Sequence, residues 1–211
     1  MESFTGLNSS IQSSVTLERI NDVASSMLVQ YAEYKNSAAN AVEIIENIYK
    51  NMEYVSEYFR QTFSARGIPK ANESIYCKRE EDIQTILMSV FWQKIGFTLI
   101  LNDIPSAITK QDNKKFICHR IIATKEDCIK IIRENPDNYA SKLLDAEIAS
   151  LYVPANKNDF CELRVRYLSN EIHKINQTDA AKEFFLLVLE YTCKSVKLHS
   201  EREFSSLFHK N

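Results

Sequence analysis

An uninterrupted apolar heptad pattern near the amino terminus constrains this chain more than any other feature. From Thr16 to Ser64 there is neither Gly nor Pro, and apolar residues recur at alternating steps of three and four. They are Leu17, Ile20, Ala24, Met27, Tyr31, Tyr34, Ala38, Ala41, Ile45, Ile48, Met52, Val55 and Phe59. This period, kept over about six heptads, is typical of a helix that winds around a partner helix. A continuous helix here would be roughly 70 Å long. It must therefore project from a small domain or fold back on it.

The composition of the heptad positions leaves alternatives open. Tyr and Ala occupy four central positions where a tight two-stranded coiled coil prefers Ile and Leu. The stretch from Asn36 to Asn40 has low helix propensity, so a helical hairpin that turns near Lys35 is the alternative to one unbroken or bent helix. The stripe could also be the core face of an ordinary bundle helix. We predict that it binds a partner or a second copy through Tyr31, Tyr34, Ile45, Ile48, Met52, Val55 and Phe59.

The remainder of the sequence suggests a mainly all-α fold. The 211 residues include only three Gly and four Pro, which leaves few places for tight turns. We predict a flexible segment 1–15, the heptad helix 16–64, packed on or projecting from the body, and a helical body over 78–211. Within the body, apolar runs predict helices over 80–101, 124–134, 137–152, 158–175 and 179–199. One or two short strands are expected near 115–123, where β-branched residues cluster.

Composition excludes several functional classes. The formal charge of −2 gives no general attraction to nucleic acid or to an anionic membrane. Neither a signal peptide nor a span of about 20 apolar residues is evident, so we expect a cytoplasmic protein. The five cysteines are scattered without zinc-site spacing, which predicts reduced core thiols and neither metal nor cofactor. A bias toward Asn, Lys and Ile suggests an AT-rich genome, such as that of a phage, a mobile element or a low-GC bacterium.

One short motif suggests an enzyme. Arg166 and His173 are separated by six residues on a predicted helix, and so share a helical face. In an all-α chain this spacing resembles the signature of the HEPN ribonucleases. The resemblance implies a dimeric, metal-independent ribonuclease in which His173 is the general base and Arg166 stabilises phosphate charge. Tyr167 stands where that family usually has a polar residue, and a solvated helix face is the alternative interpretation.

Two weaker patterns concern nucleic acid and thiol chemistry. Between Lys110 and Arg133 the basic side chains exceed the acidic ones by about four, so this run could contact phosphates. The candidate residues are Lys114, Lys115, Arg120 and Lys125. Cys118 and His119, with Cys128 or Cys161, could supply metal ligands or a nucleophile, although buried core residues are the simpler explanation.

The leading hypothesis from the sequence is a non-enzymatic interaction protein. In this view the heptad helix forms a homodimer or binds a partner helix, and the chain acts as an inhibitor, adaptor or regulatory subunit. The alternatives are the HEPN-like ribonuclease and a nucleic-acid-binding accessory protein. Catalytic motifs of other kinds, such as phosphate-binding loops and zinc-protease motifs, are absent from the sequence.

Overall fold

The computed structural model describes residues 5–91, 93–100, 107–111, 114–165 and 172–208. They form one large antiparallel sheet with helices on both faces. The strands are β1 (Ile75–Glu80), β2 (Thr85–Val90), β3 (Gln93–Ile100), β4 (Ala107–Gln111), β5 (Lys114–Thr124), β6 (Glu147–Pro154), β7 (Cys161–Val165) and β8 (Ile172–Ile175). They pair in the order β1-β2-β3-β5-β6-β7-β8, and β4 pairs with the first half of β5. The helices are α1 (Thr5–Ala65), α2 (Ala71–Ser74), α3 (Cys128–Glu134), α4 (Tyr139–Asp145) and α5 (Gln177–Phe208).

The first face of the sheet is covered by α1 and α5. α1 is a single helix of 61 residues that continues through Lys35 without a hairpin. Its carboxyl-terminal half presents Ala41, Ile45, Ile48 and Met52 to the sheet, and all four are buried. α5 contributes two phenylalanines whose rings lie edge-on or tilted against the ring of Phe97, namely Phe184 at 5.2 Å and Phe185 at 6.3 Å between centroids. The largest apolar core of the protein therefore lies between this face and the two long helices.

The second face carries a smaller core under α3 and α4. Leu87 and Ile122 from the sheet pack with Ile129 and Leu143 from the two helices. α3 begins where the Asp127 carboxylate accepts a hydrogen bond from the Lys130 backbone N–H, which satisfies one free donor of the first turn. Because helices lie on both faces, the central strands are shielded from water on both sides.

The prediction of a mainly all-α fold is wrong. Two strands, β2 and β3, occupy the region predicted as a helix over 80–101, and the predicted helix 158–175 contains β7 and β8. The predicted helix 137–152 is α4 followed by most of β6. For β2 and β6, which are buried along nearly their whole length, the reason is that both faces are covered, so these strands lose much of the alternation that identifies a half-exposed strand. Their continuous apolar runs then resemble buried helices. In the described structure the helices are α1, α5 and the three short helices α2, α3 and α4.

The scarcity of Gly misled the prediction because other residues form the tight turns. Lys70, Gln84 and Phe91 have φ angles of 61°, 46° and 53°. This left-handed region is normally occupied by Gly, and a bulky residue adopts it only when its surroundings hold it there. Phe91 lies in the connection between β2 and β3. Its backbone N–H donates to the Ser74 carbonyl at 3.0 Å, and its ring lies 5.4 Å from that of Phe63.

Membrane insertion through a helix receives no support from the structure. Within the described ranges, no helix combines the length and the apolar character that crossing a bilayer requires.

Candidate functional site

The amino-terminal half of α1 extends beyond the sheet. Between residues 15 and 36 every described side chain is exposed except Tyr34, which is half-buried. The exposed set includes eight large apolar side chains with exposed fractions between 48% and 69%, namely Val15, Leu17, Ile20, Val23, Met27, Leu28, Val29 and Tyr31. Single exposed apolar residues are ordinary on a protein surface, but a contiguous set on one element usually marks an interaction site.

Most of these side chains lie on one side of the helix. At about 100° per residue, Leu17, Ile20, Val23, Met27, Leu28 and Tyr31 fall within about 140° of arc, together with the exposed Ala24. We call these seven residues the docking face. Glu18, Asp22 and Glu33 lie on the opposite side of the helix. Asp22 follows Glu18 by four residues and Glu33 follows Asp22 by eleven, so the three share one face. The segment is therefore amphipathic although no described part of the chain covers it.

The docking face continues the face of α1 that packs on the sheet. Ile20, Val23 and Met27 are in helical register with the buried Ala41, Ile45 and Ile48 further along α1. The change from exposed to buried takes place at Tyr34 and Ser37. There the Tyr34 ring lies 4.7 Å from the imidazole of His119 on β5. A partner on the docking face would thus extend the core of this protein beyond the end of its sheet.

His119 anchors α1 at this boundary. Its side chain is fully buried, and Nδ1 is hydrogen-bonded to the Ser37 hydroxyl. Because Ser37 donates its own proton to the Tyr34 carbonyl at 2.9 Å, Nδ1 must carry the hydrogen and donate to Ser37 Oγ. Nε2 is then a bare acceptor, without a partner among the described residues. Burial lowers the pKa of His119 to about 4, so the imidazole is neutral at physiological pH.

The buried neutral His119 predicts a loss of stability in mild acid. The folded-state pKa of about 4 lies below the ordinary value of 6.5, so the unfolded chain binds this proton first as the pH falls. As the pH falls from 6.5 toward about 4, protonation of His119 in the unfolded chain is expected to lower the free energy of unfolding by about 1.4 kcal/mol for each pH unit. Urea unfolding at pH 7.0, 6.0 and 5.0 measures this slope.

The matched variant for this measurement is His119→Asn, because its amide can donate to Ser37 without titrating. The variant should lose the part of the slope between pH 6.5 and about 4 that belongs to His119, while the contribution of the carboxylates remains. Identical slopes for the two proteins would show that His119 is not the titrating group.

Side-chain contacts fix the base of the projecting segment to the sheet. Asn40, which is buried, donates through Nδ2 to the carbonyls of Pro154 and Ala155 at 3.0 and 2.8 Å. Lys157 in the β6–β7 connection pairs with Glu43 at 2.7 Å. Gln177 at the start of α5 donates to carbonyls of the same connection. The direction in which the docking face points is therefore set by the body of the protein.

Most of the residues predicted to bind a partner belong to the protein's own core. Ile45, Ile48 and Met52 are buried against the sheet, and Val55 and Phe59 are partly buried further along α1. The Tyr34 ring packs against His119. Of the residues predicted to bind a partner, Tyr31 is therefore the one that lies exposed on the projecting segment. The sequence signal for the exposed surface is the apolar character of Val23 and Leu28. These two residues lie beside the heptad positions and widen the docking face.

The residues of the ribonuclease alternative are not brought into a catalytic arrangement by the described structure. His173 lies on the short strand β8, not on a helix, and is exposed. Arg166 lies outside the described residues. His173 therefore does not lie on a helix, and the all-α fold that the resemblance implies is not the fold of this chain.

Of the basic residues predicted to contact nucleic acid, the structure describes the side chains of Arg120 and Lys125, and these two lie in different surroundings. Arg120 is largely buried on the second face, where its guanidinium pairs with Glu147 and donates to Ser150 Oγ at 2.9 Å. Its charge is therefore already compensated. Lys125 is exposed after β5. Lys114 and Lys115 begin β5, and the placement of their side chains lies outside the described part.

Two of the thiols considered for metal binding or nucleophilic chemistry, those of Cys128 and Cys161, are buried core side chains. No cluster of three or more potential ligands occurs among the described residues. Burial raises the pKa of Cys128 to about 11 and that of Cys161 to about 12. At neutral pH both side chains are therefore protonated thiols, which are poor nucleophiles and poor ligands.

Comparison with known proteins gives no relative from which a function could be transferred. The chain matches no protein-family model, no curated protein and no solved structure.

Proposed function

We propose that this protein is a non-enzymatic interaction protein that inserts the amino-terminal half of α1 into an apolar groove of a helical partner protein. The observation that carries the proposal is the docking face, in which large apolar side chains remain about half exposed or more on an otherwise anchored helix. Leaving such a face in water is unfavourable by roughly 25 cal/mol per Å² of apolar surface. A helix bound in a groove is a common way to cover it.

The width of the docking face indicates whether one partner helix or a groove between two helices can cover it. A two-stranded coiled coil covers a narrow seam, and the positions beside that seam usually carry charges. Here Val23 and Leu28 occupy those flanking positions. A single partner helix, including one from a second copy of this chain, would leave them in water. A groove between two helices covers an apolar arc of about 140°, as in a helical bundle.

The charge distribution suits the same arrangement. The acidic residues Glu18, Asp22 and Glu33 are on the side turned away from the docking face and can remain hydrated when the apolar side is buried. The docking face itself carries no charged side chain. The partner groove is therefore expected to be apolar, without a requirement for complementary charge at its centre.

Photo-crosslinking from the two sides of the helix tests this proposal. A photoreactive amino acid replaces Met27 on the docking face or Asp22 on the acidic side of the full-length chain, within the cells that produce it. We expect a crosslinked partner from position 27 and much less from position 22. The partner is then identified by mass spectrometry, purified, and titrated against the purified chain by calorimetry.

The substitution that tests the docking face is Ile20→Asp, and its matched control is Ser25→Asp on the other side of the same segment. Burying an unpaired carboxylate in an apolar groove should weaken the affinity for the purified partner by about a hundredfold. Ser25→Asp should change it less than about threefold. Adducts formed only between copies of the chain, or equal yields from both positions, would contradict the proposal.

A further inference from the structure

An open groove of about 730 Å³ lies where the projecting segment of α1 meets the β6–β7 connection. This volume is within the range of about 300–1,000 Å³ that is usual for ligand pockets. One wall is formed by α1 and the other by residues of the 155–159 connection, and Ile117 of β5 also lines the groove. The contacts of Asn40 and Lys157 described above hold the two walls together, so the groove is preformed.

The α1 wall of the groove belongs to the acidic side of the helix. Glu33, Asn36 and Asn40 follow one another at steps of three and four residues, so they share one helical face. They extend over about 10 Å along the helix axis. Because this side is turned away from the docking face, a ligand in the groove would not compete with the partner proposed above. The two proposals can therefore be tested separately.

Asn40 supplies a hydrogen-bond acceptor that the protein itself does not use. The residue is only 5% exposed. Its Nδ2 donates to the carbonyls of Pro154 and Ala155, which fixes the orientation of the amide. Oδ1 therefore points away from these carbonyls, and it has no hydrogen-bond partner among the described residues. Polar groups of buried side chains usually have a partner, so a free acceptor on the wall of a groove indicates a ligand that carries a donor.

The charge of the groove is negative. Glu33 and Asp159 both line it, and neither carboxylate forms an ion pair with a described residue. Lys157 also lines the groove, but its ammonium group is paired with Glu43 at 2.7 Å. Three carboxylates against one ammonium leave a formal charge of −2. A groove with walls of one sign attracts ligands of the other sign, so the donor is expected to be a cation.

We propose that this groove binds a guanidinium group. A guanidinium has five N–H donors in one plane and no acceptor, so it can donate to Asn40 Oδ1 on one wall and to the Asp159 carboxylate on the other. An ammonium group is more strongly hydrated and lacks the planar fork that matches a carboxylate. The alkyl chain that carries the guanidinium can pack on Ile117 and Ala39.

Three capped tripeptides test this proposal, each with alanine on both sides of a central arginine, lysine or citrulline. Citrulline has nearly the shape of arginine without its charge. Each peptide is titrated into the ¹⁵N-labelled full chain while the backbone amides of Asn36 and Asp159 and the side-chain amide of Asn40 are followed by NMR. We expect saturable shifts with the arginine peptide, an affinity several-fold lower for the lysine peptide, and one at least tenfold lower for the citrulline peptide.

Ethylguanidinium distinguishes the two sources of such a group. Binding tighter than that of the arginine peptide assigns the groove to a free guanidinium compound, and weaker binding assigns it to an arginine side chain of another protein. Equal affinities for the arginine and citrulline peptides, or an absence of saturable shifts at the groove, would overturn the proposal. Calcium chloride that produces the same shifts and prevents binding of the arginine peptide would overturn it as well, in favour of a metal ion.

Asp159→Asn is the variant that connects binding to the groove, and Glu18→Gln is its matched control. The backbone N–H and carbonyl of Asp159 form the hydrogen bonds of the turn, so removing the side-chain charge should leave the melting temperature unchanged. We expect the affinity for the arginine peptide to fall about tenfold. Glu18→Gln removes the same charge from the acidic side of α1 outside the groove and should change the affinity less than twofold. Equal losses in the two variants would show a general effect of charge and would contradict a site in the groove.

Discussion

Replacing Ile48 with Ala should lower the free energy of unfolding by about 2–5 kcal/mol, whereas replacing Ile20 with Ala should change it by less than about 0.5 kcal/mol. Both isoleucines belong to the same heptad pattern of α1. Ile48 is 0% exposed and packs against the sheet, but Ile20 is 56% exposed. The first substitution leaves a cavity in the core, and the second removes atoms that already contact water.

Urea unfolding of the purified protein, followed by circular dichroism, measures both values. Equal losses for the two variants would show that the projecting half of α1 is covered within the same chain. A loss for Ile20→Ala that grows with protein concentration would show that copies of the chain cover each other. Either result would remove the basis for a partner groove at the docking face.

Replacing Gly96 with Ala should destabilise the protein by about 3 kcal/mol or more, since overpacking usually costs about 1–3 kcal/mol and the overlap here is severe. A Cβ atom at this position in β3 would lie 2.4 Å from Cys128 Sγ and 2.7 Å from Thr124 Oγ1. Such distances are well inside van der Waals contact. α3 would have to move away from the sheet, and the smaller core would lose its packing.

Gly67→Ala is the matched control for Gly96→Ala. Gly67 has a φ of 72° and no atom within 4 Å of an added Cβ. Its substitution carries only the conformational penalty, about 1 kcal/mol. Adding Cys128→Ala to Gly96→Ala should recover part of the lost stability because it removes the closest atom, and thermal unfolding shows whether it does. Equal melting temperatures for the two single glycine variants would contradict the close approach of α3.

The sequence contained clear information about α1 and little about the sheet. Thirteen heptad matches without Gly or Pro specify a long helix through local geometry alone. They do not specify what covers the stripe, because Ile20 and Ile48 are equivalent in sequence and differ only in whether a sheet lies beneath them. The prediction of partner residues therefore included Ile45, Ile48 and Met52, which the protein uses in its own core.

The strands were missed for a related reason. β2 is buried on both faces because α1 covers one side and α3 covers the other. The alternation that identifies a strand appears only when one face meets water. The turn at Phe91 also has no Gly or Asn that would identify it in the sequence. A hydrogen bond to Ser74 and the contact with Phe63 hold its backbone in the left-handed conformation instead. Neither contact is visible from local sequence.

What the sequence by itself determined is the set of locally encoded features: a long helix along the heptad stretch, the strand-forming stretch within β5, and a helix that ends near Glu134. What only the tertiary structure decided is which half of α1 is core and which half is docking face, and which polar groups become buried. His119 is an ordinary residue in the sequence. It acquires its properties because distant segments enclose it, and burial changes its proton affinity.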